Sequence, residues 1–341
     1  MATGNLKEGL RFVSKLTFRK VFNSSKALSS FYLSKLTRQP IVWGVPMSIS
    51  IEPTTACNLR CPECPSGLRS FTRPTGMLEE ATFRKVIDEL APDLSYLLFY
   101  FQGEPYLHQN FTDLVRYASN KGVYTATSTN AHFLDDDTAR STVESGLDRL
   151  IISIDGTTQE SYQSYRIGGN LEKVISGTRN VLEWKKKLKS QTPHVIFQFL
   201  VVKPNEHQIA EVTQLGNELG VDEVRFKTAQ IYDYKEGSPL IPTLDKYSRY
   251  AQGENGEYVL KNKLSDECWK LWNSSVITWD GRVVPCCFDK DANHQMGSLA
   301  NESFHSLWTN PNYMNFRKSV LNSRSSVDIC KNCTEGTKVW S

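Results

Sequence analysis

Cys57, Cys61 and Cys64 fall within eight residues, Cys-Asn-Leu-Arg-Cys-Pro-Glu-Cys, directly after a strand-like run. Three thiols so close together ask for a soft metal. A closed zinc or iron–sulfur site takes four protein ligands, and a site that keeps a position free for a reactant takes three. At this spacing a short loop can wrap three irons of a [4Fe–4S] cube and leave the fourth exposed, where chemistry would occur. Taken alone, the same three cysteines could be half of a zinc ribbon.

The other five cysteines, Cys268, Cys286, Cys287, Cys330 and Cys333, lie near the end, so all eight form two groups. Asp280-Gly281, between two apolar runs, predicts a hairpin that delivers Cys286 and Cys287. Cys330-x-x-Cys333 supplies two more, and four such ligands make a closed tetrahedral site, for which structural zinc is the plain physical reading. No apolar run of signal-peptide or membrane-span length occurs. The chain is therefore read as cytoplasmic, where thiols stay reduced and metal binding outranks disulfides. The six histidines, His108 and His132 among them, show no metal spacing.

The cysteines need a scaffold. A chain of 341 residues can bury one core of about 200–250 residues and a smaller module. From Met47 onward the pattern repeats strand, loop and helix. Strands are expected near 47–53, 95–102, 123–129, 148–155, 194–202 and 221–228, and helices near 79–90, 110–121, 135–146, 170–189 and 205–219, with no clear sixth helix. Such alternation argues for parallel βα units joined by right-handed crossovers. Both a doubly wound sheet and a partial (β/α)6 TIM-like barrel satisfy it. The strands themselves favour the barrel. Ile49 and Ile51 alternate with Ser48, Ser50 and Glu52, and Ile152 and Ile154 with Ser153 and Asp155, whereas a sheet covered on both faces reads nearly all apolar. One polar face can line a lumen that holds a ligand. The expected organisation is a basic helical extension over 1–44, the α/β barrel over 45–262, and a small cysteine-rich α+β module over 263–341.

In βα barrels the active site sits where strands end and βα loops begin. Each predicted strand ends in polar residues: the cysteine loop after the first, Gln102-Gly103-Glu104-Pro105 after the second, Thr129-Asn130 after the third, Ser153-Ile154-Asp155-Gly156 at the fourth, and Lys203-Pro204-Asn205 after the fifth. This ordered set resembles the radical S-adenosylmethionine (radical SAM) superfamily, whose Cys-x3-Cys-x2-Cys loop binds a [4Fe–4S] cluster with one iron chelated by SAM. The resemblance covers about residues 47–335. It implies that Gly103 and Glu104 hold the SAM ammonium, that Asn130 belongs to the strand-3 element, that Ser153 and Asp155 bind the ribose, and that Arg166 pairs with the SAM carboxylate. Three positions depart from the family pattern. Gln102 replaces the first glycine of Gly-Gly-Glu-Pro, Ala131 replaces a glycine after Asn130, and Glu63 stands where an aromatic residue usually meets adenine, which must then be held otherwise.

The C-terminal layout resembles the SPASM or shorter "twitch" extension of that superfamily. It implies an auxiliary [4Fe–4S] cluster on Cys268, Cys286, Cys330 and Cys333, with Cys287 spare, although Cys286 and Cys287 could exchange roles. All-cysteine ligation would leave no open iron and suit the cluster to electron transfer. The activity implied is reductive cleavage of SAM to a 5′-deoxyadenosyl radical, hydrogen abstraction from substrate, and net oxidation or modification of a small molecule such as a sugar or lipid-linked sugar. An oxidoreductase of this type takes electrons from a flavodoxin- or ferredoxin-type donor. Arg225 and Lys227, on the polar phase of the sixth strand, are candidates for substrate binding or proton acceptance. A peptide-modifying maturase and a non-catalytic zinc or iron–sulfur scaffold are the rival readings.

Net charge is +3, which excludes a global polyanion-binding character and so a nucleic-acid partner. The charge is uneven, because residues 1–40 carry eight lysines and arginines against Glu8 alone. Apolar residues interspersed among them predict an amphipathic helix broken around Asn23-Ser24-Ser25. It either packs on the barrel with a solvated basic face or lies on an anionic membrane surface. The first is the expectation.

Overall fold

The structure, a computed structural model, describes residues 2–262 and 264–336. Residue 263, the expected start of the C-terminal module, and residues 1 and 337–341 lie outside the described residues. Two helices, α1 (Ala2–Ser14) and α2 (Phe18–Thr37), come first. The barrel follows as β1 (Ser48–Ile51), α3 (Pro65–Leu68), α4 (Glu80–Leu90), β2 (Tyr96–Leu98), α5 (Phe111–Asn120), β3 (Tyr124–Thr129), α6 (Asp136–Glu144) and β4 (Arg149–Ser153). It continues through α7 (Gln159–Tyr165), α8 (Leu171–Lys187), β5 (His194–Val201), α9 (Ile209–Leu219) and β6 (Glu223–Thr228).

The helices form where apolar residues recur at helical spacing. Phe83, Val86, Ile87 and Leu90 of α4, and Phe111, Leu114, Val115 and Ala118 of α5, are all buried. Each such large side chain contributes roughly 1.5–3 kcal/mol when taken from water. Polar caps set the starts: the Asp135 and Asn170 side chains accept from the backbone N–H groups of Thr138 and Lys173 at α6 and α8. Strands β1 to β6 pair in order and in parallel, with Ile49 and Ile51 buried under the helices while Ser48 and Ser50 stay half-buried. The α/β partial barrel expected from the alternation is the observed fold.

The C-terminal module is built onto the same sheet. After the small hairpin of β7 (Tyr250–Gln252) and β8 (Tyr258–Leu260), which takes the place of a sixth helix, come α10 (Lys270–Asn273), β9 (Ser274–Ile277), β10 (Arg282–Val284), β11 (Gly297–Ser298), α11 (Phe304–Trp308) and α12 (Pro311–Ser323). Strand β9 pairs in parallel with β1, and β10 returns antiparallel through the Asp280-Gly281 turn. One nine-stranded sheet thus runs β11-β10-β9-β1-β2-β3-β4-β5-β6. A buried ion pair staples the junction. Both terminal nitrogens of Arg73 donate to the Glu52 carboxylate at 2.9 and 2.6 Å, its Nε donates to the Lys290 carbonyl, and the Trp279 N–H also reaches Glu52.

The N-terminal extension departs from expectation in one respect. The helical break lies at Lys15–Thr17, not at 23–25, because the Thr17 side chain caps α2 by accepting from the Lys20 N–H. Asn23 inside α2 is satisfied across the interface by the Val45 N–H and carbonyl. Most of the basic residues are solvated, as expected: Lys7, Arg11, Arg19, Lys26, Lys35 and Arg38 are exposed, while Lys15 and Lys20 turn toward the barrel. Arg11 and Lys15 pair with Asp148, and Lys20 is buried with its ammonium on the Gly122 carbonyl. Glu8 accepts from the Tyr124 hydroxyl at 2.9 Å and pairs with Arg149. These partners lie at the starts of β3 and β4, so the two helices floor the barrel at the end opposite its mouth.

Candidate active site

The cysteine loop leaves β1 at the barrel mouth and is held from three sides. The Arg60 N–H donates to the Ile167 carbonyl at 2.9 Å, the Asn130 amide donates to Asn58 Oδ1 at 2.7 Å, and the Cys64 N–H donates back to the Cys61 carbonyl. Gly67 makes the return possible, since a Cβ there would lie 2.6 Å from the Cys61 nitrogen. Around the thiols, Asn130 Nδ2 lies 4.0 Å from Cys57 Sγ, Arg166 Nη1 lies 3.8 Å from Cys61 Sγ, and Gln102 Oε1 lies 4.0 Å from Cys64 Sγ.

Glu104, from the end of β2, is 2% exposed. Its carboxylate accepts from the Thr129 hydroxyl at 2.7 Å, the Asn130 N–H at 2.8 Å and the Tyr106 N–H at 3.2 Å. Burial pushes its pKa up to about 7 against those hydrogen bonds. Gly103 before it adopts φ 73°, and a Cβ there would sit 2.2 Å from the Thr54 carbonyl oxygen. The turn is carried by that glycine, which is why Gln102 is accommodated one position earlier. Ala131 sits at φ 62°, the left-handed region its family glycine would occupy without strain, at a cost of roughly 1–2 kcal/mol.

Asp155 is fully buried; it pairs with Arg166 and accepts from the Leu200 N–H at 2.7 Å. Asn205 donates to the Asp155 and Leu200 carbonyls, tying the ends of β4 and β5 together. Ser153 is 6% exposed and in register with Gln198. Glu63 turns outward and accepts from the Tyr232 N–H at 2.9 Å, so the segment after β6 closes over the loop. Val202, Ala229, Ile231, Ile241 and Tyr250 complete that cover, packing in one cluster with Leu59 and Cys61.

In the C-terminal module Cys268, Cys286, Cys330 and Cys333 line one cavity. Cys287 instead packs against Phe101, Val276, Val284 and Ala292. Arg324, 1% exposed, donates from Nη2 to Cys333 Sγ at 3.3 Å and to the Glu335 carbonyl at 2.6 Å. Gly336 is required for close approach, because a Cβ there would meet Cys268 Sγ at 2.4 Å. Nothing in the sequence singled out Gly67, Arg324 or Gly336, since their roles are contacts made across the fold.

None of the eight cysteines is in a disulfide. Burial pushes Cys57 up to about 12 and raises Cys61 and Cys286 as well, so thiolates at these positions require a neighbouring cation. Among the described residues no three cysteine sulfurs come within 4.8 Å of one another. Glu8, His194 and Glu223 do approach that closely, but the guanidinium groups of Arg149 and Arg225 occupy the two carboxylates, making an ion-pair cluster.

Arg225 is not at the mouth. Its Nε and Nη2 donate to Glu223, and Nη2 lies 3.9 Å from Glu8 of the floor, so the expectation that it meets substrate is corrected by an ion pair pointing the other way. Lys227, one pleat further along β6, is exposed and helps hold the Glu335 pKa down, after Lys270.

A half-open barrel with one thiol group at its mouth and another on the β1 edge of its sheet defines an iron–sulfur protein with two centres. The chain matches the radical SAM superfamily over residues 51–215 and the SPASM iron–sulfur cluster-binding domain over residues 268–334. The chain belongs to the radical SAM superfamily, in its SPASM-bearing branch, and its cofactors are SAM and [4Fe–4S] clusters. It is 27% identical to the tungsten-containing aldehyde ferredoxin oxidoreductase cofactor-modifying protein of Pyrococcus furiosus, covering 83% of this chain and 86% of the relative. It is 26% identical to the PqqA peptide cyclase of Bradyrhizobium diazoefficiens, covering 79% and 72%. The fold also resembles Streptococcus suis SuiB bound to S-adenosylmethionine, with a TM-score of 0.63, 14% identity and coverage of 88% and 75%.

Proposed function

We propose that Cys57, Cys61 and Cys64 hold the SAM-binding cluster and that Cys268, Cys286, Cys330 and Cys333 hold an auxiliary one. When bound, the first cluster and SAM supply a 5′-deoxyadenosyl radical for hydrogen abstraction, and the second offers a closed centre able to accept an electron. Glu104, buried and acceptor-only when ionised, receives the SAM ammonium beside Gly103, and Asn130 fixes that carboxylate through its N–H. Asp155 and Ser153 take the ribose hydroxyls. Arg166, poised between Asp155 and Cys61, takes the carboxylate. The cover after β6 keeps water from the loop.

The substrate reading we favour is a small molecule, oxidised or otherwise modified at the mouth, with a flavodoxin- or ferredoxin-type donor supplying electrons. The likeness to a cofactor-modifying protein supports it. A peptide is the second reading, supported by the likeness to a peptide cyclase. The observation that carries the proposal is the convergence on the cysteine loop of Glu104 after β2, Asn130 after β3, and Asp155 with its partner Arg166 after β4. The test is anaerobic reconstitution with iron and sulfide, followed by assay of 5′-deoxyadenosine from SAM and dithionite. About eight irons and SAM cleavage abolished by Cys61→Ala are expected. Bound zinc without cleavage would overturn the reading.

A further inference from the structure

The N-terminal helices leave part of their apolar surface uncovered. On α1 and in the turn after it, Glu8, Arg11 and Lys15 reach ion-pair partners on the barrel, with the Phe12 ring edge-on to Tyr124. The opposite stripe, Leu6, Leu10 and Val13 at i, i+4 and i+7, is 60–66% exposed. Helix α2 has such a stripe as well. It buries Lys20, Asn23, Ala27, Ser30, Phe31 and Ser34, while Phe18 is 87% and Leu36 81% exposed, and the Phe18 and Phe22 rings stack on each other in solvent. A helix that leaves a stripe of large apolar side chains in solvent has a second surface to satisfy.

We propose that this floor is a docking surface for an anionic lipid bilayer. Charge complementarity chooses the occupant. Lys7 is exposed beside Leu6, Lys26 lies over the Phe22 ring at 4.9 Å, and the Arg19 side chain is 64% exposed although paired with Asp93. Basic side chains interleaved with Phe and Leu are what an interfacial helix uses, apolar groups entering the acyl boundary and ammonium groups meeting phosphates. Ser25 and Ser29, both exposed, interrupt the α2 stripe and leave single protruding side chains in place of the continuous apolar seam that a second copy would need. No described helix is long and apolar enough to cross a membrane, so the contact lies in the interface plane.

The orientation follows from the fold. The helices cover the strand starts, while the cysteine loop, Glu104 and Asp155 sit at the strand ends. The eight residues of β5 separate the two by roughly 25 Å. A docked enzyme holds its mouth away from the bilayer, toward soluble substrates, and a lipid-linked sugar in that same leaflet would not reach it. The contact stands on the extension alone; only this consequence rests on the proposed location of the active site.

The test uses the reconstituted full chain, kept anaerobic, sedimented with vesicles of equal parts phosphatidylcholine and phosphatidylglycerol and with vesicles of phosphatidylcholine alone. Binding to the anionic vesicles only is expected, falling about tenfold or more in F18S/F22S and in K7E/K26E. Unchanged iron content and melting temperature show the variants folded. In bound protein, Lys7 and Lys26 become protected from a soluble amine-reactive reagent while Lys203 at the mouth stays reactive. Failure to sediment with anionic vesicles, undiminished binding of F18S/F22S, or protection of Lys203 in place of Lys7 would overturn the proposal. So would a dimer in sedimentation velocity that F18S/F22S dissolves, which would give the face to a second copy. None of these outcomes touches SAM cleavage without vesicles, so the two proposals fail separately.

Discussion

Glu104→Gln separates what the buried carboxylate costs the protein from what it does for SAM. Burial lifts this carboxyl from its ordinary 4.5 to about 7. At about 1.4 kcal/mol per pH unit, the charged form costs the SAM-free fold about 3 kcal/mol. Because the folded pKa is the higher one, that stability is whole below pH 4.5 and is lost as pH rises through 7. Glutamine does not titrate. Its amide group must also face one of the donors now satisfied, either the Asn130 N–H or the Tyr106 N–H, and strands it at about 1–3 kcal/mol whatever the pH. The stability difference between wild type and variant should therefore move by about 3 kcal/mol in favour of the variant between pH 5 and pH 8. It is read from anaerobic melting or denaturant curves without SAM. With SAM the order reverses. Losing a charge-assisted hydrogen bond to the ammonium costs about 1.5–3 kcal/mol, which is about 10- to 100-fold in Kd by equilibrium dialysis. A stability difference flat with pH, together with unaltered SAM affinity, would refute both the burial argument and the assigned partner.

Three further outcomes follow from the geometry. Cys286→Ser should lose about four of about eight irons and Cys287→Ser none, because only Cys286 shares the cavity with Cys268, Cys330 and Cys333; equal iron in both variants would show the two positions to be interchangeable. Arg73→Met leaves the buried Glu52 carboxylate unpaired and should destabilise by about 3–5 kcal/mol, visible as a lowered Tm; a loss under 1 kcal/mol, on the order of an exposed pair, would mean that water reaches the staple. Glu8→Ala removes the acceptor shared by Tyr124 and Arg149 and should speed proteolysis at the Lys15–Thr17 break, while iron content stays unchanged; equal cleavage rates would show α1 to be held by packing alone.

The barrel was legible from the strands because their pattern is local. Ile49 and Ile51 against Ser48 and Ser50 show in the primary order which phase is buried, and six such runs separated by helical runs leave few topologies. The site was legible for the same reason: a mouth assembled from strand ends puts the cysteine loop, Glu104, Asn130, Ser153 and Asp155 next to predicted strands. What could not be read was which end of a long side chain's reach would win. Arg225 alternates correctly for the lumen, yet its guanidinium is claimed by Glu223 on its own strand and by Glu8, more than two hundred residues away in sequence. The N-terminal helices keep most of their basic residues solvated as expected, but the apolar stripe left uncovered beside them is not readable from the sequence, because amphipathicity indicates that a helix has two faces and not how much of each its neighbour covers. Here the neighbour includes the polar rim of strand starts, so Glu8, Lys15 and Lys20 turn inward.

The amino-acid order by itself determined the two cysteine groups, the βα rhythm and the polar strand ends, because ligand spacing and side-chain periodicity are properties of short segments. Only the tertiary structure decided that β9 adds to β1 and makes the two modules one sheet, that Cys286 and not Cys287 lines the cavity with Cys268, Cys330 and Cys333, and that an apolar stripe on the N-terminal helices is left uncovered. Each of these is a choice among partners distant in sequence. Burial, ion pairing and backbone pairing compete for such choices only once the chain has folded.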